Sequence, residues 1–297
     1  MSVLELIGGS VGVLRKNKCM LILPLAKYFS YIVIVLFYFF VWFALSVLSF
    51  LLDDFALLIT SAVMSLVLCL LSVIGCGAFF TAATSRYASD ALDGKIVSSS
   101  NVLGWGLRRW LSVFTADVLL YGSFILVLFL FAPSVFLAVR GQYNVALSFG
   151  LGAAALVLGY YVVAGVLLMP LNYVVSLGEV RFSRCFKWTA SFVWANLPQS
   201  LMIAFVATAA TATLICIPTV VTGPVGKLAS VFFYLGSGLS AVEEGLGTPF
   251  IIFYLVIYSF AITATTIFSI IISAVVEAAQ TIWWVKLIKD GRQNQIL

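Results

Sequence analysis

The stretch from Met20 to Leu52 is MLILPLAKYFSYIVIVLFYFFVWFALSVLSFLL, and its one charged side chain is Lys27. A helix rises about 1.5 Å per residue, so roughly 20 apolar residues cross a hydrocarbon core about 30 Å thick. The stretch is long enough to span a membrane. It is also too long for the apolar region of a cleaved signal, which has about 7–15 residues. It therefore predicts a retained transmembrane helix.

The remaining sequence repeats this apolar character. The chain is 63% hydrophobic and 9% charged, whereas soluble domains have about 25% charged residues. We predict one all-α domain, 1–297, a polytopic bundle of six transmembrane helices arranged as three hairpins. The predicted spans are about 20–52, 55–83, 111–139, 145–175, 197–221 and 250–285. An amphipathic basic segment precedes each odd span and predicts an interfacial helix. These three units are consistent with an internal repeat or with the general pattern of helical hairpins.

The basic residues are distributed unequally between the two sides of this pattern. Of 16 Lys and Arg residues, only Arg140 and Lys227 fall on the side opposite the termini. Basic residues close to membrane spans are retained on the cytoplasmic side. We therefore predict a multi-pass protein of the cell (plasma) membrane with both termini in the cytoplasm. A basic rim facing anionic lipid accounts for the net charge of +5, so no nucleic-acid partner is expected.

The basic segments supply the first set of candidate functional residues. Most of these segments carry tryptophan, which favours the headgroup level of a membrane. We predict that they contact lipid headgroups or a protein partner, which includes a second copy of the chain. The candidates are Arg15, Lys16, Lys18, Arg108, Arg109, Arg181, Arg184 and Lys187.

A second candidate site consists of ionisable residues inside the predicted spans. Lys27, Asp117 and Glu277 each lie roughly 9–12 Å from the cytoplasmic end of a span, counted at about 1.5 Å per residue. Charges inside a membrane usually face the bundle interior and have partners. Gln280, one turn from Glu277, extends this level. The group predicts either a buried ion pair or a polar site for a cation, a proton or a lipid headgroup. Lys27 has the further option of extending to the interface.

Catalytic chemistry has little support in the sequence. The chain has no histidine, which removes the most common general base and the most common metal ligand. Phosphate-binding glycine loops and nucleophile elbows are also missing from the sequence. We expect no catalytic residues, no metal site and no cofactor. The five cysteines form no CxxC pair, and no disulfide is expected.

Three features resemble a broad bacterial and archaeal family of six-helix membrane proteins, most of which have no assigned function. They are Leu14-Arg15-Lys16-Asn17 before the first span, the stretch Phe79 to Gly94, and Pro170 followed by the basic helix near Arg181 to Trp188. That family is loosely similar to the membrane domain of some glycerophosphodiester phosphodiesterases. The resemblance implies a six-helix membrane fold. It does not carry over phosphodiester hydrolysis, because no residue matches a catalytic position.

Three functions are compatible with these observations. The leading hypothesis is a non-enzymatic membrane subunit or scaffold whose basic cytoplasmic face binds lipid or a partner. The alternative is a transporter or conduit that uses the level of Lys27, Asp117 and Glu277. A membrane-embedded lipid enzyme is the weakest of the three, because acid–base groups are few.

Overall fold

The structure, a computed structural model, describes residues 3–167, 169–178, 182–206, 209, 231, 234 and 248–293. All secondary structure in these ranges is helical, which confirms the all-α prediction. The α-helices are α1 (Val3–Lys16), α2 (Ile22–Leu52), α3 (Phe55–Leu92), α4 (Ser99–Leu128), α5 (Ala132–Val139), α6 (Tyr143–Leu167), α7 (Met169–Leu177), α8 (Phe182–Ala195), α9 (Leu197–Val206) and α10 (Thr248–Gln293). Short 3₁₀ turns occupy Lys18–Leu21 and Phe129–Phe131.

Among the described residues, four helical segments are long and apolar enough to cross a membrane. They are Lys18–Leu52, Phe55–Leu92, Tyr143–Tyr160 and Ile252–Gly291. A fifth span results if α8 and α9, which meet at an angle of 95°, cross the membrane together. These apolar helices indicate a membrane protein, and the number of spans, predicted as six, remains a prediction. Most of the predicted span 197–221 lies outside the described residues.

The segment predicted as one span at 111–139 is divided. Helix α4 ends at Leu128, a 3₁₀ turn follows, and α5 begins with Pro133 in its first turn. Proline lacks a backbone N–H and its ring clashes with the preceding turn, so it is accommodated at the start of a helix and not in the interior. The break at Phe129–Phe131 is the consequence.

Helix α3 begins where the sequence predicts and ends later. The Asp54 side chain accepts a hydrogen bond from the Leu57 N–H (3.0 Å) and caps the helix. The predicted end was near Ala83, but the helix continues to Leu92. Most of these additional residues are small and buried in the packed end of the molecule. Packing against neighbouring helices therefore extends the helix beyond its apolar run.

The chain forms two compact units, Met1–Ala204 with Ala278–Leu297 and Phe205–Glu277. In the first unit α3 packs against α2, α4 and α7, and α4 also packs against α7. The buried side chains of α3 concentrate between Gly75 and Asp90, whereas the large apolar side chains between Phe55 and Leu71 are mostly exposed. The core of this unit thus lies at one end, and the remaining helix surface is suited to lipid contact.

The second unit contains the part of α10 before Ala278. Its apolar side chains are largely exposed, among them Phe260 at 75%, and Tyr254 stacks on Tyr258 with ring centroids 5.7 Å apart. Exposed aliphatic and aromatic side chains along a helix are expected where the solvent is hydrocarbon.

Candidate functional site

The basic segments of the first unit meet at one end of it. Two guanidinium groups lie over the ring of Trp105 of α4, with the Arg86 Cζ at 4.8 Å and the Arg109 Cζ at 5.2 Å from its ring centroid. Its indole N–H donates to the Ser176 carbonyl of α7 (2.8 Å). Arg86 in turn pairs with Asp90 at 3.1 Å. Cations held over an indole face gain electrostatic attraction from the ring, so this group ties α3, α4 and α7 together.

Arg109 also closes the end of α7. Its Nη2 donates to the Gly178 carbonyl at 3.1 Å, which satisfies an acceptor left free by the end of the helix. Gly178 has a φ of +70° and its α-carbon lies against the Arg109 guanidinium group. The predicted headgroup residue Arg109 therefore has internal partners in this structure.

The C-terminal part of α10 belongs to the same end. The Trp283 indole N–H donates to the Ser10 hydroxyl of α1 (2.8 Å), and Trp284 is fully buried and stacks on Tyr173 of α7. Lys289 donates to the Ser89 carbonyl at 2.8 Å. We call the place where these segments of α1, α3, α4, α7 and α10 meet the basic end.

Lys289 also forms an ion pair that joins α10 to the end of α3. Its Nζ lies 2.6 Å from one carboxylate oxygen of Asp93, and the Lys95 Nζ lies 3.1 Å from the other. The hydrogen bond from Lys289 lowers the pKa of the Asp93 carboxyl below its ordinary value, with a smaller contribution from Lys95. Asp93 is therefore a carboxylate at neutral pH.

Most of the predicted headgroup residues are exposed around the basic end. Arg15 and Lys16 end α1, and Lys18 follows them. Arg108 points outward from α4, unlike its neighbour Arg109. Arg184 and Lys187 lie one turn apart on the exposed face of α8, whose opposite face buries Cys185, Thr189 and Phe192. Arg181 lies outside the described residues.

The predicted polar level is partly assembled in the first unit. Asp117 of α4 is 6% exposed and accepts a hydrogen bond from the Asn172 Nδ2 of α7. Lys27 of α2 is close enough to act electrostatically on this carboxylate. Its Nζ also lies 5.8 Å from the Tyr31 ring centroid. The Asn172 Oδ1 is buried and has no hydrogen-bond partner among the described residues.

The other two members of the predicted polar level are on α10. Gln280 is buried in the first unit, and Glu277, in the second unit, is partly buried. Their grouping with Lys27 and Asp117 stays a prediction. Within the described ranges, no group of three or more His, Cys, Asp or Glu side chains is placed to hold a metal ion.

An apolar groove between α3 and α4 was not predicted. It has a volume of about 570 Å³ and is lined by Leu68, Leu71, Ser72, Gly75, Cys76, Phe79, Leu107, Trp110 and Phe114. The Trp110 indole N–H donates to the Gly75 carbonyl (2.7 Å) at its floor. The helices are in close contact at Gly106, where a Cβ would lie 3.0 Å from Phe79 and 3.2 Å from the Ala83 Cβ. The small residues Gly75 and Gly106 were visible in the sequence, but the contacts of Gly75 with Trp110 and of Gly106 with Phe79 were not.

The long apolar helices of the described ranges indicate the class of the protein, an all-helical membrane protein with four or five candidate spans. Comparison with known proteins adds no narrower assignment: no known family matches the chain, and no curated protein or solved structure is significantly similar to it.

Proposed function

We propose that this protein is a non-enzymatic scaffold or subunit of the cell membrane, with six spans and both termini in the cytoplasm. In this proposal the basic end binds the anionic headgroups of the cytoplasmic leaflet. The observation that carries it is the position of six exposed cations around one packed end of the first unit: Arg15, Lys16, Lys18, Arg108, Arg184 and Lys187. Each basic side chain near an anionic membrane surface contributes about 1 kcal/mol to binding.

The packing of the basic end supports this role. The Ser10–Trp283 hydrogen bond anchors α1. The buried face of α8 fixes the opposite, basic face, and Phe192 packs against Gly291 of α10, where a Cβ would lie 2.7 Å from its ring. Cations that are held in place before binding lose less conformational freedom when a ligand binds. A rigid basic surface therefore loses less conformational freedom on binding headgroups than a surface of mobile charges would.

The proposal is tested by the thermal stability of the purified protein with added lipid. A ligand that binds the folded state raises its Tm. Phosphatidylglycerol is expected to raise the Tm more than phosphatidylcholine with the same acyl chains, and salt is expected to reduce the difference. A variant with Arg15, Lys16, Arg184 and Lys187 each changed to Gln should lose most of that difference. Arg140→Gln is the control, because it changes an exposed arginine at the C-terminal end of α5.

Equal stabilisation of the wild-type protein by the two lipids contradicts headgroup binding. A protein that co-purifies with the wild-type chain and is lost from the four-residue variant identifies a protein partner at the same surface instead.

A second candidate function, a conduit for protons or cations, rests on the Asp117–Asn172 pair. The Asn172 amide donates to an ionised Asp117 through its nitrogen, and after a flip it can accept from a protonated Asp117 through Oδ1. Because Oδ1 has no hydrogen-bond partner among the described residues, the flip breaks no existing hydrogen bond of that atom. Asp117→Asn should then abolish proton or sodium flux in proteoliposomes, measured with ion-sensitive dyes, and Asp53→Asn should leave it intact. A wild-type protein without flux of either ion removes this candidate.

A further inference from the structure

The strongly apolar face of α8 is used inside the protein. Cys185, Phe192 and Val193 are fully buried, and Thr189 is buried beside them. The Phe192 ring packs against Gly291 of α10. Because this face contacts other helices, it cannot also rest on a membrane. A membrane contact of α8 therefore has to be made by the surface that this packing leaves exposed.

That exposed surface consists of two adjacent rows of side chains. The first row is apolar and contains Phe186, Ala190 and Trp194. The second row is polar and contains Arg184, Lys187 and Ser191. Residues three or four apart lie on one side of a helix, and at 3.6 residues per turn the two rows point roughly a quarter turn apart. Trp194 is 76% exposed and Phe186 is 39% exposed, so the apolar row is available for contact with lipid.

The bend between α8 and α9 gives α8 the direction that such a contact requires. The two helices meet at 95°, and α9 begins the predicted span 197–221. Spans are tilted from the membrane normal by about 20° on average, so a helix at nearly a right angle to a span lies close to the membrane plane. The 14 residues of α8 are about 21 Å long and do not cross a core about 30 Å thick on their own.

We propose that α8 lies in the plane of the cytoplasmic leaflet, with the apolar row inserted among the acyl chains and Arg184 and Lys187 at the level of the lipid phosphates. The proposal rests on the proposed function for the identity of the leaflet, and it adds an apolar mode of contact to the attraction between charges. Tryptophan favours the headgroup level of a membrane. In this arrangement α8 precedes the span that contains α9 and is not part of it.

Spin labels placed one at a time along α8 test the orientation. The full-length protein is reconstituted in liposomes of phosphatidylglycerol and phosphatidylcholine, with the buried Cys185 retained and the other four cysteines changed to Ala. Collisions of each label with oxygen and with a water-soluble nickel chelate give its depth. Labels on Phe186→Cys, Ala190→Cys and Trp194→Cys should share one depth, about 5–10 Å below the phosphates. Labels on the polar row should lie at or above the phosphates: Arg184→Cys, Lys187→Cys and Ser191→Cys.

Three other results would overturn the proposal. A depth that increases steadily from position 186 to position 194 would make α8 part of a crossing helix. Full access of nickel to the apolar row would leave α8 in the aqueous phase. Exclusion of both oxygen and nickel from that row would identify a protein partner in place of lipid. A common depth in phosphatidylcholine alone, together with equal effects of the two lipids on Tm, would keep α8 in the membrane plane and refute binding of anionic headgroups.

Paired substitutions give a second readout that needs no label. Phe186→Gln with Trp194→Gln should reduce the rise in Tm caused by either lipid, and the loss should persist at high salt because salt screens charges and not apolar contacts. Arg184→Gln with Lys187→Gln is the matched control and should reduce only the additional rise caused by phosphatidylglycerol. If the apolar-row variant responds to both lipids as the wild-type protein does, the apolar row does not contact lipid and the proposal is wrong.

Discussion

Trp283 of α10 donates its indole N–H to the hydroxyl of Ser10 on α1, across a distance of 2.8 Å and a separation of 273 residues. Both side chains are buried, so the bond is made away from solvent and links the N-terminal helix to the C-terminal one. A buried donor left without its partner carries the full cost of its lost hydration.

We expect Ser10→Ala to loosen α1 from the basic end. The change strands the Trp283 N–H and should cost about 1–3 kcal/mol of local stability. Amide hydrogen exchange across α1 should become faster, while exchange in the middle of α3 stays as in the wild-type protein. Val11→Ala removes an exposed side chain from the same helix and serves as the control. Unchanged exchange in both variants would show that the Ser10 contact does not hold α1.

Gly178→Ala should destabilise the protein more than Gly94→Ala. Both glycines have positive φ, +70° and +68°, and alanine in that conformation costs about 1–2 kcal/mol. Around Gly94 a Cβ would meet nothing within 4 Å, but at Gly178 it would overlap the Arg109 guanidinium group. The added Cβ must displace the arginine from the Gly178 carbonyl and from Trp105. A comparison of Tm values in one detergent measures the difference, and equal losses would contradict it.

The Asp93–Lys289 pair should make the docking of α10 dependent on pH. The folded-state pKa of Asp93 is lowered, so the pair contributes stability above the unfolded pKa of about 3.9. That contribution is lost as the pH falls through the still lower folded pKa. Proteolysis of the α10 end should therefore accelerate on acidification below about pH 4 in the wild-type protein, measured with an acid-active protease.

Variants at the two lysines separate the contributions to this pair. Lys289→Gln should accelerate cleavage of the α10 end at neutral pH, measured with a protease that is active at that pH, because it removes both the ion pair and the bond to the Ser89 carbonyl. Lys95→Gln removes only the weaker contact with Asp93 and should have a smaller effect. If the two variants behave alike, the two contacts of Lys289 together contribute no more than the contact of Lys95, which would contradict the prediction.

The polar level predicts a hierarchy of functional effects. Glu277→Gln and Asp117→Asn should impair complementation of a deletion strain more than Asp53→Asn. Asp53 is an exposed turn residue with a φ of 52°, which asparagine adopts readily. Equal and negligible effects of all three changes would remove the polar-site hypothesis.

The orientation of the chain is tested with reporter fusions. Fusions after Arg140 and Lys227 should be external, and fusions after Arg109, Lys187 and Arg292 should be internal, because basic residues near spans are retained in the cytoplasm. The reversed pattern would contradict the predicted topology.

Much of the helical layout was predictable from local features. Apolar run length placed α2 and the start of α3, where the Asp54 side chain caps the helix. The end of α3 was not predictable from run length, because residues after Ala83 are held by contacts with distant helices, Arg86 with Trp105 of α4 and Ser89 with Lys289 of α10. The break after Leu128 had one visible signal, Pro133.

The candidate sites show the same division. Arg15, Lys16, Arg108 and Lys187 are exposed, and their contact with lipid headgroups or a partner stays a prediction. The internal role of Arg109 was not predictable, because its neighbour Arg108 has the same chemistry and differs only in the side of α4 on which it lies. The groove depends on the contact of Gly106 with Phe79 and Ala83, which lie on a different helix.

The sequence by itself determined that this chain is helical and membrane-embedded, because hydrophobicity and run length are local properties that the bilayer selects directly. Only the tertiary structure decided which charged and aromatic side chains meet. Trp105 and Ser176, Asp117 and Asn172, and Ser10 and Trp283 are each separated by 55 residues or more. Their pairing depends on the rotation and approach of whole helices, and in a membrane that is set by close packing between helix surfaces.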